Sequence, residues 1–280
     1  MMHVTLTSRV LARPILAVVA LCCLTMPARA TLAQSPASAA SPRTLLAVFA
    51  HPDDETIAGP LLAHYAGAPN TRVFIVIVTN GDKGVMPFAG IPAGEQLAAV
   101  RTREATCSAA ALGVQPPILL GFPDGGLASM QVLTAATTRL RTVLHEFRPD
   151  AIVTWGPEGG YGHPDHRLVS AIVTELVQAG DATAQLFYAG LPKSRLQSDA
   201  VKGLQFAALF KGVLDDVLNV RVPYSPSDAA RARKSLECHT SQFTPASMAV
   251  ISTLSEQIHA GHMHLRHWTG GPSRTDVFVR

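Results

Sequence analysis

The 280-residue chain carries 23 basic and 20 acidic side chains, and charged residues make up only 15% of it. The excess of positive charge lies in residues 1–30, which contain Arg9, Arg13 and Arg29 and no acidic residue. The remainder is neutral overall, which excludes electrostatic binding to nucleic acid or to an anionic membrane as the basis of function. Its length suits one large α/β domain.

Residues 1–30 have the pattern of a signal peptide. Basic residues precede an apolar run at 15–24, and Ala28 and Ala30 place small side chains where cleavage requires them. The apolar run is shorter than a membrane span. We therefore expect cleavage near Ala30 and export to the periplasm or the medium, with no membrane span in the mature form. Residues 31–43, rich in Ala, Ser and Pro, are expected to be a flexible lead-in to a domain over 44–280.

The four cysteines leave two questions open. Cys22 and Cys23 lie in the predicted signal peptide and leave a lipid-anchored form as an alternative. Against it, Leu21 is bulkier than the residue that usually precedes a lipidated cysteine. Cys107 and Cys238 remain after cleavage, and exported proteins often join such pairs. Cys107 lies in an apolar helical stretch, where a buried free thiol is the simpler expectation. We expect free thiols, with a disulfide as the alternative.

A histidine and three carboxylates directly follow the first predicted strand. The apolar run 45–49 predicts a strand buried on both faces, and His51, Asp53, Asp54 and Glu55 come just after it. Open α/β sheets place their ligand crevice at the carboxyl ends of strands. Unpaired charges beside a buried strand are costly because they lose their hydration. A bound divalent cation would offset that cost.

Strand and helix patterns alternate through the middle of the chain. The predicted elements are a helix at 57–66, a strand at 72–79, a helix at 94–112, a strand at 118–120, a helix at 132–147 and a strand at 151–155. This alternation predicts a mostly parallel sheet in an α/β fold.

Three polar side chains in this region have unremarkable explanations from the pattern alone. Arg101 and Glu104 are three residues apart on a predicted helix, which is typical of a surface ion pair worth under about 1 kcal/mol. Asp124 lies in a turn, where Asp often bonds to its own backbone.

A second polar motif follows the strand at 151–155 and a glycine-rich loop. Pro164 suits the first position of a helix at 164–178, which makes His163 the expected cap. His163 and His166 are three residues apart on the opening turn and are expected to face the same crevice.

Together the two motifs suggest a zinc site of the hydrolytic kind. Such sites use three ligands from His, Asp or Glu and keep the fourth position for water. The candidate ligands are His51, Asp54 and His166, although other divalent transition metals are possible. Asp53 is the candidate base for the water, and His163 is the candidate donor to a developing oxyanion.

The paired motifs resemble the LmbE/PIG-L family of zinc-dependent N-deacetylases. Ala-His-Pro-Asp-Asp-Glu at 50–55 and Gly-His-Pro-Asp-His at 162–166 carry the resemblance, and the segments 79–84, 123–127 and 239–242 fall in the family's order. The resemblance implies a Rossmann-like, mostly parallel sheet with helices on both faces. It also implies hydrolysis of an acetamide on an amino sugar.

By matching positions, the resemblance assigns the same roles to the five residues of the predicted zinc site. It adds Arg101 and Asp124 as positions that hold the sugar in relatives. Independently of it, Asp165 is expected to hydrogen-bond one of the imidazoles and fix its tautomer, as carboxylates behind metal ligands commonly do.

The final third of the chain is less clearly patterned. The expected elements are a strand at 185–189, a strand at 217–222, a helix at 227–237 and a helix at 245–259. Four histidines near the end of the chain are expected to be exposed rather than to bind a metal, namely His239, His262, His264 and His267.

These patterns favour an exported zinc hydrolase that removes an acyl group, acetyl above all, from an amino sugar in a small molecule or a glycan. A metal-containing carbohydrate-binding protein is the first alternative, but structural sites usually fill all four positions with protein ligands. A phosphoesterase using Mg²⁺ or Mn²⁺ is the second, but hard ions prefer oxygen to two imidazoles. Nothing in the patterns indicates the oligomeric state.

Overall fold

The computed structural model describes residues 1, 3 and 41–278, apart from the side chains of residues 205 and 206. The predicted signal peptide, except residues 1 and 3, and most of the predicted lead-in lie outside the described residues. Within the described part of the chain, no helix is long and apolar enough to cross a membrane.

A seven-stranded sheet forms the centre of the described residues. Its strands are β1 (Arg43–Phe49), β2 (Thr71–Thr79), β3 (Ile118–Phe122), β4 (Ala151–Trp155), β5 (Gln185–Ala189), β6 (Val220–Pro223) and β7 (His262–His267). The spatial order is β3-β2-β1-β4-β5-β7-β6. Strands β1 to β5 pair in parallel, whereas β7 runs antiparallel to both β5 and β6. The predicted mostly parallel α/β sheet is confirmed.

Helices cover both faces of this sheet. They are α1 (Gly59–Ala66), α2 (Glu95–Leu112), α3 (Met130–Phe147), α4 (Pro164–Gln178), α5 (Lys193–Leu196), α6 (Gln205–Leu209), α7 (Pro226–Leu236) and α8 (Pro245–His259). Side chains of α1 and α2 pack in the core on one face, and those of α3 and α4 pack in the core on the other. The expectation of helices on both faces is therefore confirmed.

The central strand β1 shows why its sequence is apolar at every position. Leu45, Ala47 and Phe49 belong to the core on the α1 side, and Leu46 and Val48 belong to the core on the α3 side. Successive side chains of a strand point to opposite faces, so a strand covered on both faces must be apolar throughout. Since β1 lies between β2 and β4, the chain changes direction across the sheet at this strand, and the crevice opens beside its carboxyl end.

The prediction of exposed histidines at the end of the chain is wrong for two of the three in β7. His264 and His267 are buried, while His262 is exposed. The pattern of 262–267 did not predict a strand, and the error followed from that. Because β7 lies inside the sheet between β5 and β6, neighbouring elements cover most of its side chains, those of His264 and His267 included.

The expectation of free thiols is also wrong, because Cys107 and Cys238 form a disulfide with Cα atoms 5.8 Å apart. The bridge joins α2 to the residues just after α7, which pack side by side. The apolar surroundings of Cys107 suggested a buried thiol, but a local pattern contains no information about a partner 131 residues away.

We predict that replacing both cysteines, Cys107→Ser with Cys238→Ser, lowers the free energy of unfolding by about 2–5 kcal/mol, because the unfolded chain regains the freedom of a long closed loop. Chemical denaturation of the oxidised protein and the double variant measures this. Reductant should lower the midpoint of the wild type and leave that of the double variant unchanged. An oxidised wild type that is no more stable than the double variant would contradict the prediction.

Candidate metal centre and catalytic residues

The carboxylate of Asp54 ties together the ends of two neighbouring strands. Its Oδ2 accepts hydrogen bonds from the backbone N–H groups of Ala50, at 3.0 Å, and His51, at 2.9 Å, just after β1. The same oxygen accepts a bond of 3.0 Å from Nε1 of Trp155, the last residue of β4. Burial alone would raise the pKa of Asp54, but the neighbouring His166 and His51 hold it well below its usual value. The buried group is therefore a carboxylate.

Two imidazoles converge at this carboxylate, as the sequence predicted. Nε2 of His166 lies 3.0 Å from Oδ1 of Asp54, and Nδ1 of His51 lies 3.1 Å from Nε2 of His166. Nδ1 of His51 is 3.7 Å from Oδ2 of Asp54. All three side chains are buried. Two ring nitrogens and one carboxylate oxygen thus surround one small volume.

Interactions behind the two imidazoles favour free lone pairs on the converging nitrogens. Nδ1 of His166 lies 3.2 Å from the carbonyl oxygen of Gly159, so a proton on Nδ1 donates to that carbonyl and Nε2 remains unprotonated. Nε2 of His51 lies 3.1 Å from Oδ1 of Asp124 and 3.4 Å from Oδ2 of Asp165. A proton on that nitrogen faces two carboxylates and leaves Nδ1 unprotonated. Asp165 thus lies close to an imidazole, although Nε2 of His51 makes no aligned hydrogen bond to it.

The electrostatics of the cluster suit a cation. Burial lowers the pKa of His51, but the carboxylates of Asp124, Asp165 and Asp54 outweigh it and raise the pKa well above its usual value. The surroundings of this ring therefore stabilise positive charge. Nε2 of His51 has no aligned hydrogen-bond partner among the described residues, despite its short distances to oxygen. A donor set of two imidazoles and one carboxylate fits a divalent transition metal.

Further potential ligands surround His51. Ligand atoms of His51, His163 and His166 lie within 4.8 Å of one another, and so do those of His51, Asp124 and Asp165. His163 is partly committed elsewhere, since its Nδ1 accepts a hydrogen bond of 3.2 Å from the backbone N–H of Asp165 and caps α4. The predicted cap is confirmed. Asp54 therefore completes the favoured ligand set.

The capping bond of His163 also decides where its proton lies. Because Nδ1 accepts a hydrogen bond, the neutral ring carries its proton on Nε2. Burial and the neighbouring His51 and His166 lower the pKa of His163, which favours the neutral ring. Its centroid is 4.7 Å from that of His51. His163 is thus a neutral hydrogen-bond donor beside the candidate metal ligands.

Asp53 lies next to this cluster in an unusual backbone conformation. Its φ of 106° is in the region that favours glycine. Its N–H donates a 3.0 Å hydrogen bond to Oε2 of Glu55, and its carboxylate lies 3.1 Å from Nη2 of Arg101. Burial raises the pKa of Asp53 to about 6, with Arg101 opposing and Asp54 adding to that rise. The side chain is 17% exposed and lines the cavity, as a group that exchanges protons with a ligand must.

Arg101 and Glu104 are buried rather than forming the surface pair that their spacing suggested. Arg101 donates to the carbonyl oxygens of Pro52 and Gly81 as well as facing Asp53. Gly81 is needed for this approach, because a Cβ atom there would lie 2.5 Å from the guanidinium. Glu104 instead accepts two hydrogen bonds of 2.7 Å from the backbone and hydroxyl of Ser241.

The expectation that His239 is exposed is wrong. Its side chain is fully buried, and its Nε2 lies 2.7 Å from Oε1 of Glu55. The hydroxyl of Ser108 donates to the same oxygen and lies 2.7 Å from the hydroxyl of Ser235. Burial would raise the pKa of Glu55, but His239 and Ser108 hold it below its usual value. His239 thus balances the buried charge of Glu55, and the other carboxylate oxygen of Glu55 accepts the hydrogen bond from Asp53.

A cavity of about 430 Å³ opens over the cluster. Six of the predicted site residues line it, namely His51, Asp53, Asp54, Arg101, Asp124 and His163. Asp165 and His166 lie behind them and contact His51. The structure therefore brings all eight predicted residues to one place.

Two aromatic residues of the site were missed. The ring of Trp155 stacks on His166 with centroids 4.5 Å apart, and Tyr161 meets His166 edge to face at 5.0 Å. Gly160 allows this packing, because a Cβ atom there would lie 2.7 Å from the Trp155 ring. The available signal was a Trp at the end of a buried strand, followed by closely spaced glycines.

We predict that His239→Ala lowers the free energy of unfolding by about 3–5 kcal/mol, because it leaves the buried Glu55 carboxylate without its charged partner. His64→Ala is the matched control. His64 lies 3.6 Å from Asp228 but is 36% exposed, so its loss should cost under about 1 kcal/mol. Chemical denaturation of both variants measures the difference, and equal costs would contradict the role given to His239.

The family model and the relatives that match this chain are all described as deacetylases. Residues 46–177 match the family model described as PIG-L, GlcNAc-PI de-N-acetylase. A 1D-myo-inositol 2-acetamido-2-deoxy-alpha-D-glucopyranoside deacetylase from Mycolicibacterium gilvum (strain PYR-GCK) is 30% identical over 76% of this chain and 86% of its own. A deacetylase of the same name from Mycobacterium sp. (strain KMS) is 29% identical over 92% of this chain and 94% of its own. Other deacetylases of this name are matched over 59% to 61% of their length.

Among solved structures, the N,N'-diacetylchitobiose deacetylase from Pyrococcus horikoshii has a similar fold. Its TM-score is 0.61 at 20% identity, over 80% of this chain and 83% of that one. At this identity the likeness concerns the fold, and it agrees with the sheet and helices described above.

Proposed function

The chain belongs to the PIG-L family, and on that premise we propose that it is an exported zinc-dependent hydrolase that removes an N-acyl group, acetyl first of all, from an amino sugar. The observation that carries the proposal is the convergence of His51, Asp54 and His166 beside Asp53 in one cavity. The deacetylase names of the relatives supply the reaction class.

Zinc would be held by Nδ1 of His51, Nε2 of His166 and a carboxylate oxygen of Asp54. When bound, the ion polarises the amide carbonyl and makes water more acidic. Two imidazoles among three ligands support zinc over Mg²⁺ or Mn²⁺, and thus support amide hydrolysis over the phosphoesterase alternative. Open space above the cluster supports catalysis over a purely structural site, because a substrate can reach it.

Asp53 acts as the general base. With a pKa raised to about 6, its carboxyl group is mostly ionised at neutral pH yet basic enough to accept a proton from water. Arg101, whose Nη2 lies 3.1 Å from this carboxylate, holds it in position. Once protonated, Asp53 can return the proton to the leaving amine, which completes hydrolysis of the amide to an acid and an amino sugar.

His163 stabilises the oxyanion that forms as water attacks the carbonyl. Its backbone-fixed tautomer presents Nε2–H as a donor, and a preorganised donor of this kind typically contributes a factor of about 10²–10³. The donor requires no reorientation, since the helix cap already fixes the ring. We assign His163 the role of hydrogen-bond donor to the carbonyl oxygen.

The polar end of the cavity suits the sugar. Asp124 and Gln242 line it together with Arg101, and sugar hydroxyls require such partners when they leave water. Much of the Arg101 guanidinium is already bonded to Pro52, Gly81 and Asp53. We therefore give Arg101 mainly the task of holding Asp53. We assign sugar binding to Asp124 through the lone pairs that remain after its oxygens face His51 and accept the backbone N–H of Lys83.

Export is supported by two independent observations. The pattern of residues 1–30 is that of a cleaved signal peptide. The disulfide between Cys107 and Cys238 suits an oxidising compartment, since such bonds are rare in the reducing cytosol. The substrate would then be an amino sugar that is present outside the cytoplasmic membrane.

We predict that Asp53→Asn retains the metal but loses about 10²- to 10⁴-fold in kcat, because an amide cannot accept the proton from water. His51→Ala, which removes a proposed ligand, should lose the metal itself. Elemental analysis of both variants, alongside acetate release from N-acetylglucosamine compounds, separates the two roles. If Asp53→Asn lost metal while keeping its activity per bound ion, Asp53 would be a ligand and not the base.

Export predicts a mature amino terminus near Thr31, because Ala28 and Ala30 fit the cleavage rule. Mass spectrometry of the protein from its native host measures this directly. A protein that still begins at Met1 or Met2 would contradict export, and a lipidated terminus at Cys22 would establish the anchored form instead.

A further inference from the structure

The cavity over the metal ligands has a second end that is lined by apolar side chains. They are Leu191, Leu209, Phe210, Ile251, Leu254 and Ile258. This wall begins close to the metal ligands, because Tyr161 lies 5.0 Å from His166 and 6.0 Å from Phe210 between ring centroids. An alkyl group on a carbonyl carbon at the metal site would therefore meet an apolar surface.

The apolar wall is part of the packed structure and not a chance group of surface residues. Leu191, Leu254 and Ile258 belong to a small core cluster of their own, separate from the two clusters that cover the faces of the sheet. At the same wall Leu209 is 55% exposed. An exposed apolar side chain that continues a buried apolar wall is typical of a ligand-binding surface.

Two polar side chains of α8, Ser255 and His259, interrupt this wall. His259, at the end of α8, lines the cavity and is only 3% exposed, yet its Nδ1 has no hydrogen-bond partner among the described residues. Burial, with a further contribution from His264, lowers the pKa of His259 to about 3, so the ring is uncharged at neutral pH. A neutral ring does not oppose an apolar ligand.

The two ends of the cavity fit the two substituents of an amide. A carbonyl carbon at the metal carries the nitrogen of the amino sugar on one side and the acyl chain on the other. The sugar hydroxyls need the polar end, where Asp124 and Gln242 lie. The acyl chain is then directed to the apolar end, which the single methyl of an acetyl group is too small to cover.

We propose that this apolar end is an acyl-chain subsite, and that the protein hydrolyses N-acyl amino sugars whose linear acyl chain is longer than acetyl. The inference rests on the proposed function and uses the same catalytic residues. Water adds its oxygen to the carbonyl carbon, the C–N bond breaks, and the products are a free carboxylic acid and the amine. No oxidant, reductant or other co-reactant is required.

The test is a chain-length series on the zinc-loaded mature protein. N-acetyl-, N-butyryl-, N-hexanoyl- and N-octanoyl-glucosamine are compared by amine release. Each methylene that becomes buried should raise kcat/KM about fourfold, so hexanoyl should exceed acetyl by at least about tenfold. The hexyl glycoside of N-acetylglucosamine is the comparison arm, because it carries a similar chain on the sugar and not on the acyl group.

A pair of variants on α8 locates the effect. Ser255 lines the cavity, whereas Ser252, about one turn earlier on the same helix, lines a different surface depression. Ser255→Phe places a bulky ring in the subsite and should lower the ratio of octanoyl to acetyl kcat/KM by at least about tenfold, through the loss of buried methylenes. Ser252→Phe should leave this ratio at the wild-type value.

Three results would overturn the acyl subsite. If acetyl is hydrolysed but kcat/KM stays level or falls along the series, the subsite is wrong and the proposed function stands. If kcat/KM rises only for the hexyl glycoside, the apolar end binds a chain on the sugar instead. If none of the N-acyl glucosamines or the glycoside is hydrolysed, the proposed function fails and the subsite with it.

Discussion

The carboxylate of Asp54 is the group on which the whole site depends. It accepts hydrogen bonds from Ala50, His51 and Trp155 while its other oxygen faces His166, so it connects the ends of β1 and β4 to the first turn of α4. A buried carboxylate is tolerated only when its lone pairs are satisfied, and here nearly every partner is a part of the site. The same bonds that stabilise the charge place both candidate imidazole ligands around one point.

Asp53 lies beside Asp54 in sequence but is held by a different set of contacts. Its left-handed backbone is stabilised by a bond to Glu55, whose other oxygen contacts His239 and Ser108. These two residues directly follow Cys238 and Cys107, which the disulfide joins. The last third of the chain therefore contributes to the position of the proposed base, although the motif that contains the base lies near the beginning. Separate supports for the two neighbouring carboxylates fit the two roles proposed for them, Asp54 as ligand and Asp53 as base.

The parts of the structure that could be predicted are those specified by local patterns. The uninterrupted apolar run of β1 predicted a strand covered on both faces, and Pro164 after His163 predicted the cap that the structure contains. What failed depends on distant partners. His239 is buried because it pairs with Glu55, which is 184 residues away in the sequence. Arg101 of α2 is buried because Gly81, on a different segment, leaves room for its guanidinium. Periodicity describes the face of one element, and it contains no information on which element packs against that face.

The central claim is that one divalent ion at His51, Asp54 and His166 makes this cavity catalytic. The most direct test is to strip the mature protein of metal with a chelator and to titrate it with zinc while recording acetate release from an N-acetylglucosamine compound. Our account predicts no activity in the stripped protein and a linear rise that ends at one zinc ion per chain, with further zinc adding nothing. Full activity in the stripped protein, or a rise that continues well beyond one equivalent, would contradict it.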